Sequence, residues 1–277
     1  MAIRRLLRHR LFLAGALLVL IVVFAALAAG WIAAESPTRM NMRQRFAAPW
    51  GPRFLLGTDA FGRDILARLV HGAQVSLRIG LLVVIVSGLF GTFFGAVAGY
   101  FRRLDNPVMR VMDAFMAFPA ILLAIAIAAA LGPSEANVVI ALAAVYTPRT
   151  ARIVRASVLV VREAEYVLAA RTAGAGHARI LLGHILPNSM APLIVQLTFI
   201  FAYAVLAEAV LSFLGVGPAP PTPTWGNMIA DGRNFIREAP WITLAPGIAV
   251  SMTVLGLNLL GDGLRDVLDP RMKVASG

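Results

Sequence analysis

The sequence predicts an all-α, polytopic membrane protein with six transmembrane helices. Of 277 residues, 59% are hydrophobic and only 14% charged, whereas a soluble domain carries about a quarter charged residues. The apolar residues also gather in runs close to the ~20 needed to cross a hydrocarbon core roughly 30 Å thick. Most arginines stand between those runs. This patterning excludes a disordered chain, and the absence of cysteine excludes a disulfide-stapled secreted domain. The net charge of +11 reads as basic loops facing anionic lipid head groups, so membrane lipid and not nucleic acid is the expected counter-charge.

The first run, residues 11–34, contains no charge. Its basic start and the Ala26-Leu27-Ala28 triplet also fit a signal peptide, but the run is longer than a usual apolar signal region and favours an uncleaved span. The second is residues 79–101 and the third residues 114–132, following Asp113. The fourth begins at residues 137–147 and continues, with arginines toward its end, to residue 161. The fifth, residues 190–214, is interrupted only by Glu208, and the sixth is residues 241–261.

Arginine and lysine counts orient the chain. With both termini cytoplasmic, 16 of the 25 basic residues lie inside, six of them (Arg149, Arg152, Arg155, Arg162, Arg171 and Arg179) between the fourth and fifth spans. The expected organisation is a basic tail and first helix (1–34), an extracytoplasmic segment (35–72), a core of five helices (73–265) and a cytoplasmic tail (266–277).

Two loops stand out. Residues 162–187 are too apolar for a linker and too polar for a span. Residues 163–173 read as a short helix of good helix formers, Gly174 and Gly176 as a turn, and residues 177–186 as a second helical piece ending at Pro187. Small residues such as Ala169, Ala170, Ala173 and Gly174 allow close approach; the residues leave open whether a partner surface or lipid covers them. The loop 216–240 begins as extended, proline-rich chain, with a short helix expected over 228–236. Trp225 and Trp241 fit an aromatic belt at the membrane surface.

Intramembrane acids are few. Asp113 lies near the start of the third span and Glu208 near the outer end of the fifth, as candidates for a translocation path or a subunit contact, with a structural hydrogen bond as the blander role for Glu208. A proton-driven carrier needs a richer set of acids and histidines at mid-depth. No ATP site is present either: a P-loop needs Gly-Lys-Ser/Thr, and the only lysine, Lys273, precedes Val274. The four histidines have no metal-ligand spacing, and no catalytic constellation is found. Energy therefore enters through another chain.

Four segments in order resemble the C-type permease subunit of dipeptide, oligopeptide and nickel ABC importers. The cytoplasmic loop is similar to their EAA loop: Leu168-Ala169-Ala170, Gly174 and Ile185-Leu186-Pro187 match in register, with Leu168 in place of glutamate and His184 in place of isoleucine. Glu165-Tyr166-Val167 resembles the peptide-permease variant. Leu56-Gly57-Thr58-Asp59-Ala60-Phe61-Gly62-Arg63-Asp64 resembles the LGTDxxGRD signature, followed by Ala67 where serine is frequent and by a retained Arg68. Residues 72–77, and residues 208–215 with Trp225-Gly226-Asn227, complete a match covering most of 55–265.

The resemblance implies a type I importer permease that is not itself an enzyme. It forms a heterodimer with a B-type permease in the bacterial inner membrane. One or two cytoplasmic ATPase subunits bind ATP and Mg, with no cofactor in this chain, and an extracytoplasmic binding protein delivers substrate. Glu165, Tyr166, Ala169, Ala170, Gly174 and Gly176 become the ATPase-coupling residues. Thr58, Asp59, Gly62, Arg63 and Asp64 become an outer-face cap, with binding-protein contact as the second role. Peptides are the expected substrates; nickel, haem and glutathione fit the same complex. A stand-alone channel or carrier, or a scaffold without transport, would lack any need for the cytoplasmic helix–glycine–helix.

Overall fold

The computed structural model describes Leu6 and residues 9–33 and 35–268. The basic residues Arg4, Arg5, Arg8, Arg271 and Lys273, with most of the expected tail, lie outside that range. The described residues form helices: α1 (Arg10–Leu27), α2 (Ile65–Tyr100), α3 (Arg102–Met116), α4 (Ala120–Leu131), α5 (Glu135–Val161), α6 (Glu165–Thr172), α7 (Met190–Phe213), α8 (Trp225–Gly232) and α9 (Trp241–Leu268), with short helical turns between. Four of them, α1, α2, α7 and α9, are long and apolar enough to cross a membrane. The pair α3–α4, bent by 88°, is a fifth candidate. At 27 residues, α5 has the length of a crossing, about 40 Å, but its arginines hide it from an apolarity test; six crossings are compatible with this arrangement.

Several elements differ from the expected bounds, each for a local reason. α2 starts at Ile65, well before residue 79, because Asp64 caps it, accepting from the Leu66 N–H at 2.9 Å. The polar residues that broke the apolar run find partners within the bundle. Gln74 donates to the Ala26 carbonyl at 2.8 Å, and Arg78 pairs with Glu135 at 2.6 Å. α2 is thus continuous across the expected boundary at residue 72. The third span does not begin at Ala114. The chain breaks before Pro119, which holds an extended ψ of 125° at the N-cap of α4, as a residue pair Phe-Pro disfavours continued helix at the first position. Asp113 therefore belongs to α3. Arg149, Arg152 and Arg155, counted above as loop, lie inside α5.

Past Gly176 the chain does not stop at Pro187. It winds through His177–Ile180, a π-helical turn over Leu181–Ile185 and a last turn, Leu186–Asn188, into α7. The short helix expected over 228–236 instead occupies Trp225–Gly232, capped by Thr224 through the Asn227 N–H at 3.1 Å. A 3-10 turn follows at Arg233–Phe235.

Two apolar cores meet at α2 and α7. One joins Ile79 and Val83 of α2 to Ala124, Leu142, Ile200 and Leu211. The other joins Val22 of α1 and Ala73 of α2 to Val205, Trp225, Met228 and Ile242. Outward-facing residues such as Leu20, Phe24, Leu89 and Phe93 remain exposed, which suits lipid. Because lipid tails are as apolar as leucine, helices in a bilayer associate through close packing of small residues. Here Ser87, Gly91, Gly95 and Gly99 recur every fourth residue along α2 and are buried, the three glycines against α5. A Cβ on Gly95 would lie 2.8 Å from Val154 Cβ, and one on Gly99 2.8 Å from Val158 Cβ. α1 is held to α9 in the same way: a Cβ on Gly256 would meet Leu18 Cβ at 2.9 Å, and one on Gly263 would meet Phe12 Cβ at 2.7 Å.

Replacing Gly95 with leucine is expected to cost roughly 1–3 kcal/mol or more through overpacking, lowering the midpoint of detergent-induced unfolding in mixed micelles. Gly247→Ala, at an α9 position with nothing within 4 Å of the new Cβ, is expected not to lower that midpoint and to raise it slightly, since alanine is the better helix former.

Candidate functional site

Most of the polar chemistry gathers at the two ends of the bundle. At one end, residues 57–64 form a tight turn closed by an antiparallel bridge between Thr58 and Asp64. Gly57 and Gly62 adopt φ of +78° and +68°, a region that glycine enters without the penalty paid by other residues. At Gly62 a Cβ would also press into the Asn41 backbone. Thr58 is buried, accepting from the Ala47 N–H at 2.8 Å and donating to the Gln44 carbonyl. Asp64, at the neck of the turn, has its carboxyl pushed up from the ordinary value by burial, with the Leu66 N–H opposing.

Asp59 organises this end. Its carboxylate is 1% exposed; Oδ1 accepts from the N–H groups of Phe61 and Arg63, both at 2.9 Å. Oδ2 accepts from Arg63 Nε at 2.6 Å and Arg68 Nη1 at 2.7 Å. The same two guanidinium groups reach Asp231 of α8, at 2.9 and 3.1 Å. Two acids thus balance two arginines and tie the 57–64 turn, α2 and α8 into one unit. Trp241 Nε1 adds a bond to the Thr58 carbonyl at 3.1 Å. Trp225 is no belt residue: it is 1% exposed and donates to the Leu69 carbonyl at 3.1 Å. Beside this unit opens a cleft of about 600 Å³ lined by Arg63, Arg68, Asp231, Arg233 and residues 217–222.

At the opposite end, α6 stands on a single apolar foot. Val167 is buried with Ala96, Val154, Val158, Ile180, Ile185 and Leu193, while Glu165, Tyr166, Leu168 and Ala169 are exposed and Ala170 is half-buried. Glu165 in the first turn and Arg171 in the last complement the helix dipole. Gly174 ends the helix at φ +82°, and the Ala175 N–H returns to the Ala170 carbonyl at 3.0 Å, a left-handed cap of the kind glycine supports. Nothing lies within 4 Å of a Cβ at Gly174 or Gly176, so the turn is open to a partner. Arg162 Nη1 donates to the Gly99 carbonyl at 2.7 Å, and the Tyr100 hydroxyl meets His177 Nδ1 at 2.8 Å, pinning both flanks of the loop to the end of α2.

Nearer the Thr58 end, five residues before the last residue of α7, Glu208 is fully buried and accepts from Ser212 Oγ at 2.6 Å. Asp113 is exposed and paired with Arg152 at 2.7 Å, so it joins α3 to α5. Among the described residues no group of three or more His, Asp or Glu side chains could hold a metal ion.

Residues 89–274 match the family described as binding-protein-dependent transport system inner membrane component, and residues 1–49 match the N-terminal TM domain of oligopeptide transport permease C. The chain belongs to this permease family. A putative peptide transport system permease protein of Brucella abortus is 58% identical over 271 residues, covering 98% of this chain and 91% of the relative. A di/tripeptide transport system permease protein, DppC, of Pseudomonas aeruginosa is 47% identical over 270 residues, 95% of this chain and 89% of the relative. The dipeptide transport system permease protein DppC of Escherichia coli K12 is 46% identical over 272 residues, 96% of this chain and 91% of the relative.

The permease motifs read from the sequence thus fall at the two ends of the bundle, and the structure adds residues they did not announce. Asp231 completes the charge cluster from 168 positions beyond Arg63; no local motif signalled it. Tyr100 and Arg162 were not singled out as loop anchors.

Removing the charge of Asp59 leaves two buried arginines underpaired, a change expected to cost about 3–5 kcal/mol. Asp59→Asn should therefore lower the thermal midpoint of the purified permease sharply. Asp231→Asn, at a side chain 38% exposed, should lower it less.

Proposed function

We propose that this permease is the membrane subunit of an ATP-driven importer of di- and oligopeptides, built with a second, B-type permease. Peptide is the cargo in the names of all three relatives described above. The observation that carries the coupling is α6: a short helix with one buried residue, an exposed face that includes Glu165, Tyr166, Leu168 and Ala169, and an open glycine turn. An exposed helix of this kind suits the groove of a cytoplasmic ATPase, one or two gene products of which would bind ATP and Mg; this chain would bind no nucleotide and catalyse nothing itself.

On this reading the Val167 end is cytoplasmic and the Thr58 end faces the binding protein. With the three α5 arginines moved from loop to helix, 13 basic residues remain on the cytoplasmic side against nine outside, so the positive-inside rule keeps the same orientation. Both termini are then cytoplasmic, in the bacterial inner membrane. Closure of the ATPases draws α6 inward. Because Val167 is packed on α5, and Gly99 and Tyr100 hold the loop to α2, the pull passes to the two helices joined by the glycine seam. The ATP-bound complex favours one arrangement of the helices and the nucleotide-free complex the other, so transport follows from differential binding. The charge cluster keeps the Thr58 end rigid, and its cleft is the surface offered to a loaded binding protein.

Gly174→Val tests the coupling. A β-branched residue at φ +82° is strained by about 1–2 kcal/mol and fills the open turn. The complex should still assemble in the membrane, but dipeptide uptake into proteoliposomes should fall at least tenfold and substrate-stimulated ATP hydrolysis should change with it. Unaltered stimulation and uptake would overturn the coupling role.

A further inference from the structure

Arg149, Arg152 and Arg155 of α5 are spaced i, i+3, i+6, so each neighbours the next across about one turn of the helix. Two are neutralised by α3: Arg155 Nη2 bonds Asp105 Oδ2 at 2.7 Å, and Arg152 Nη2 bonds Asp113 Oδ1 at 2.7 Å. Arg149, one turn deeper, has no ion pair among the described residues, and its side chain is exposed. It stands 14 residues into a 27-residue helix, about 21 Å from the start at 1.5 Å per residue, which is the middle of the span. A cation at that depth costs at least ~2.5 kcal/mol in lipid and marks a pathway or a counter-charge.

The surroundings combine an apolar cleft with a more polar one. Two clefts, of about 330 and 450 Å³, meet at Arg149 and Tyr203. Tyr146 and Leu206 line the first, and Arg152 and Gln196 the second. Along α1, α2 and α9, large apolar side chains such as Leu20, Ile85, Leu89 and Ile248 are exposed at mid-helix. A hydroxyl, an amide and an unpaired guanidinium therefore converge on open space between α5 and α7.

We propose that Arg149 engages the free C-terminal carboxylate of a peptide in transit, with Tyr203 and Gln196 beside it, so that the path itself selects for an anionic terminus. The proposal rests on the peptide reading above. A guanidinium binds a carboxylate through two parallel N–H donors, and every unmodified peptide presents that group whatever its side chains. Asp105 and Asp113 are engaged by the neighbouring arginines, which leaves Arg149 as the cation of this ladder free to hold and release a passing anion.

The test uses the complete complex, with its binding protein, in proteoliposomes, and the probes alanyl-alanine and its C-terminal amide. The uptake ratio of acid to amide is divided by the ratio of their affinities for the isolated binding protein, which isolates discrimination by the path. The wild-type complex should show at least a tenfold excess for the acid. Arg149→Gln should bring the excess close to one, and Arg149→Lys, which keeps the charge but not the two-donor fork, should retain only part of it. An excess absent in the wild type, or undiminished in Arg149→Gln, overturns the proposal while leaving peptide import standing. Loss of the second permease on purification of Arg149→Gln also overturns it, assigning Arg149 to a subunit contact. Uptake of neither probe by the wild type overturns the peptide reading and the proposal with it.

Discussion

The close approach of α2 to α5 is the constraint on which the rest of the structure depends. In a bilayer there is no water to drive helices together, so contact is gained only where backbones can approach. Gly91, Gly95 and Gly99 provide that approach on one helix, and Thr150, Val154 and Val158 fill it from the other. Once the seam is closed, the outer face of α5 is fixed, and with it the row of arginines. The acids of α3 then have a fixed set of partners, and α4 folds back after Pro119 to cover Leu142 and Val145.

The two ends of the bundle use different physics for different tasks. At the Thr58 end a buried cluster of two acids and two arginines costs desolvation and returns it through short, charge-assisted bonds, which favours a single geometry. At the Val167 end α6 itself is lightly held: Val167 is its one buried residue, with the Gly99 carbonyl accepting from Arg162 and one Tyr–His bond at its flanks. One end of the bundle is thus held in a single geometry and the helix at the other end is lightly attached.

Most of the fold was legible because lipid imposes a simple rule on sequence: an apolar run becomes a crossing helix. The rule failed where polar residues are satisfied within the bundle. Gln74 and Arg78 made α2 look shorter than it is, although each is bonded to a neighbouring segment. Arg149, Arg152 and Arg155 made α5 look like a helix running into a loop, although two of them are neutralised by α3. Trp225 read as a surface anchor because tryptophan is enriched there; its indole N–H instead finds the Leu69 carbonyl inside the core. Of the site, the turn at residues 57–64 and the helix–Gly–helix were visible as local patterns of glycine and charge. Asp231 and the open position of Arg149 were not, since both depend on which helices lie side by side.

The central claim, that α6 is the contact through which an ATP-binding partner drives the permease, can be tested by cross-linking. The chain contains no cysteine, so Ala169→Cys introduces a unique thiol of this subunit on the exposed face of α6. A thiol-directed cross-linker applied to the complex purified in mild detergent should join that position to a co-purifying ATP-binding subunit, with a yield that changes when ATP is added. A cysteine at Leu255, exposed on α9, should give no such product. A complex that cross-links from position 255 but not from 169, or a chain that purifies alone and folded, would contradict it.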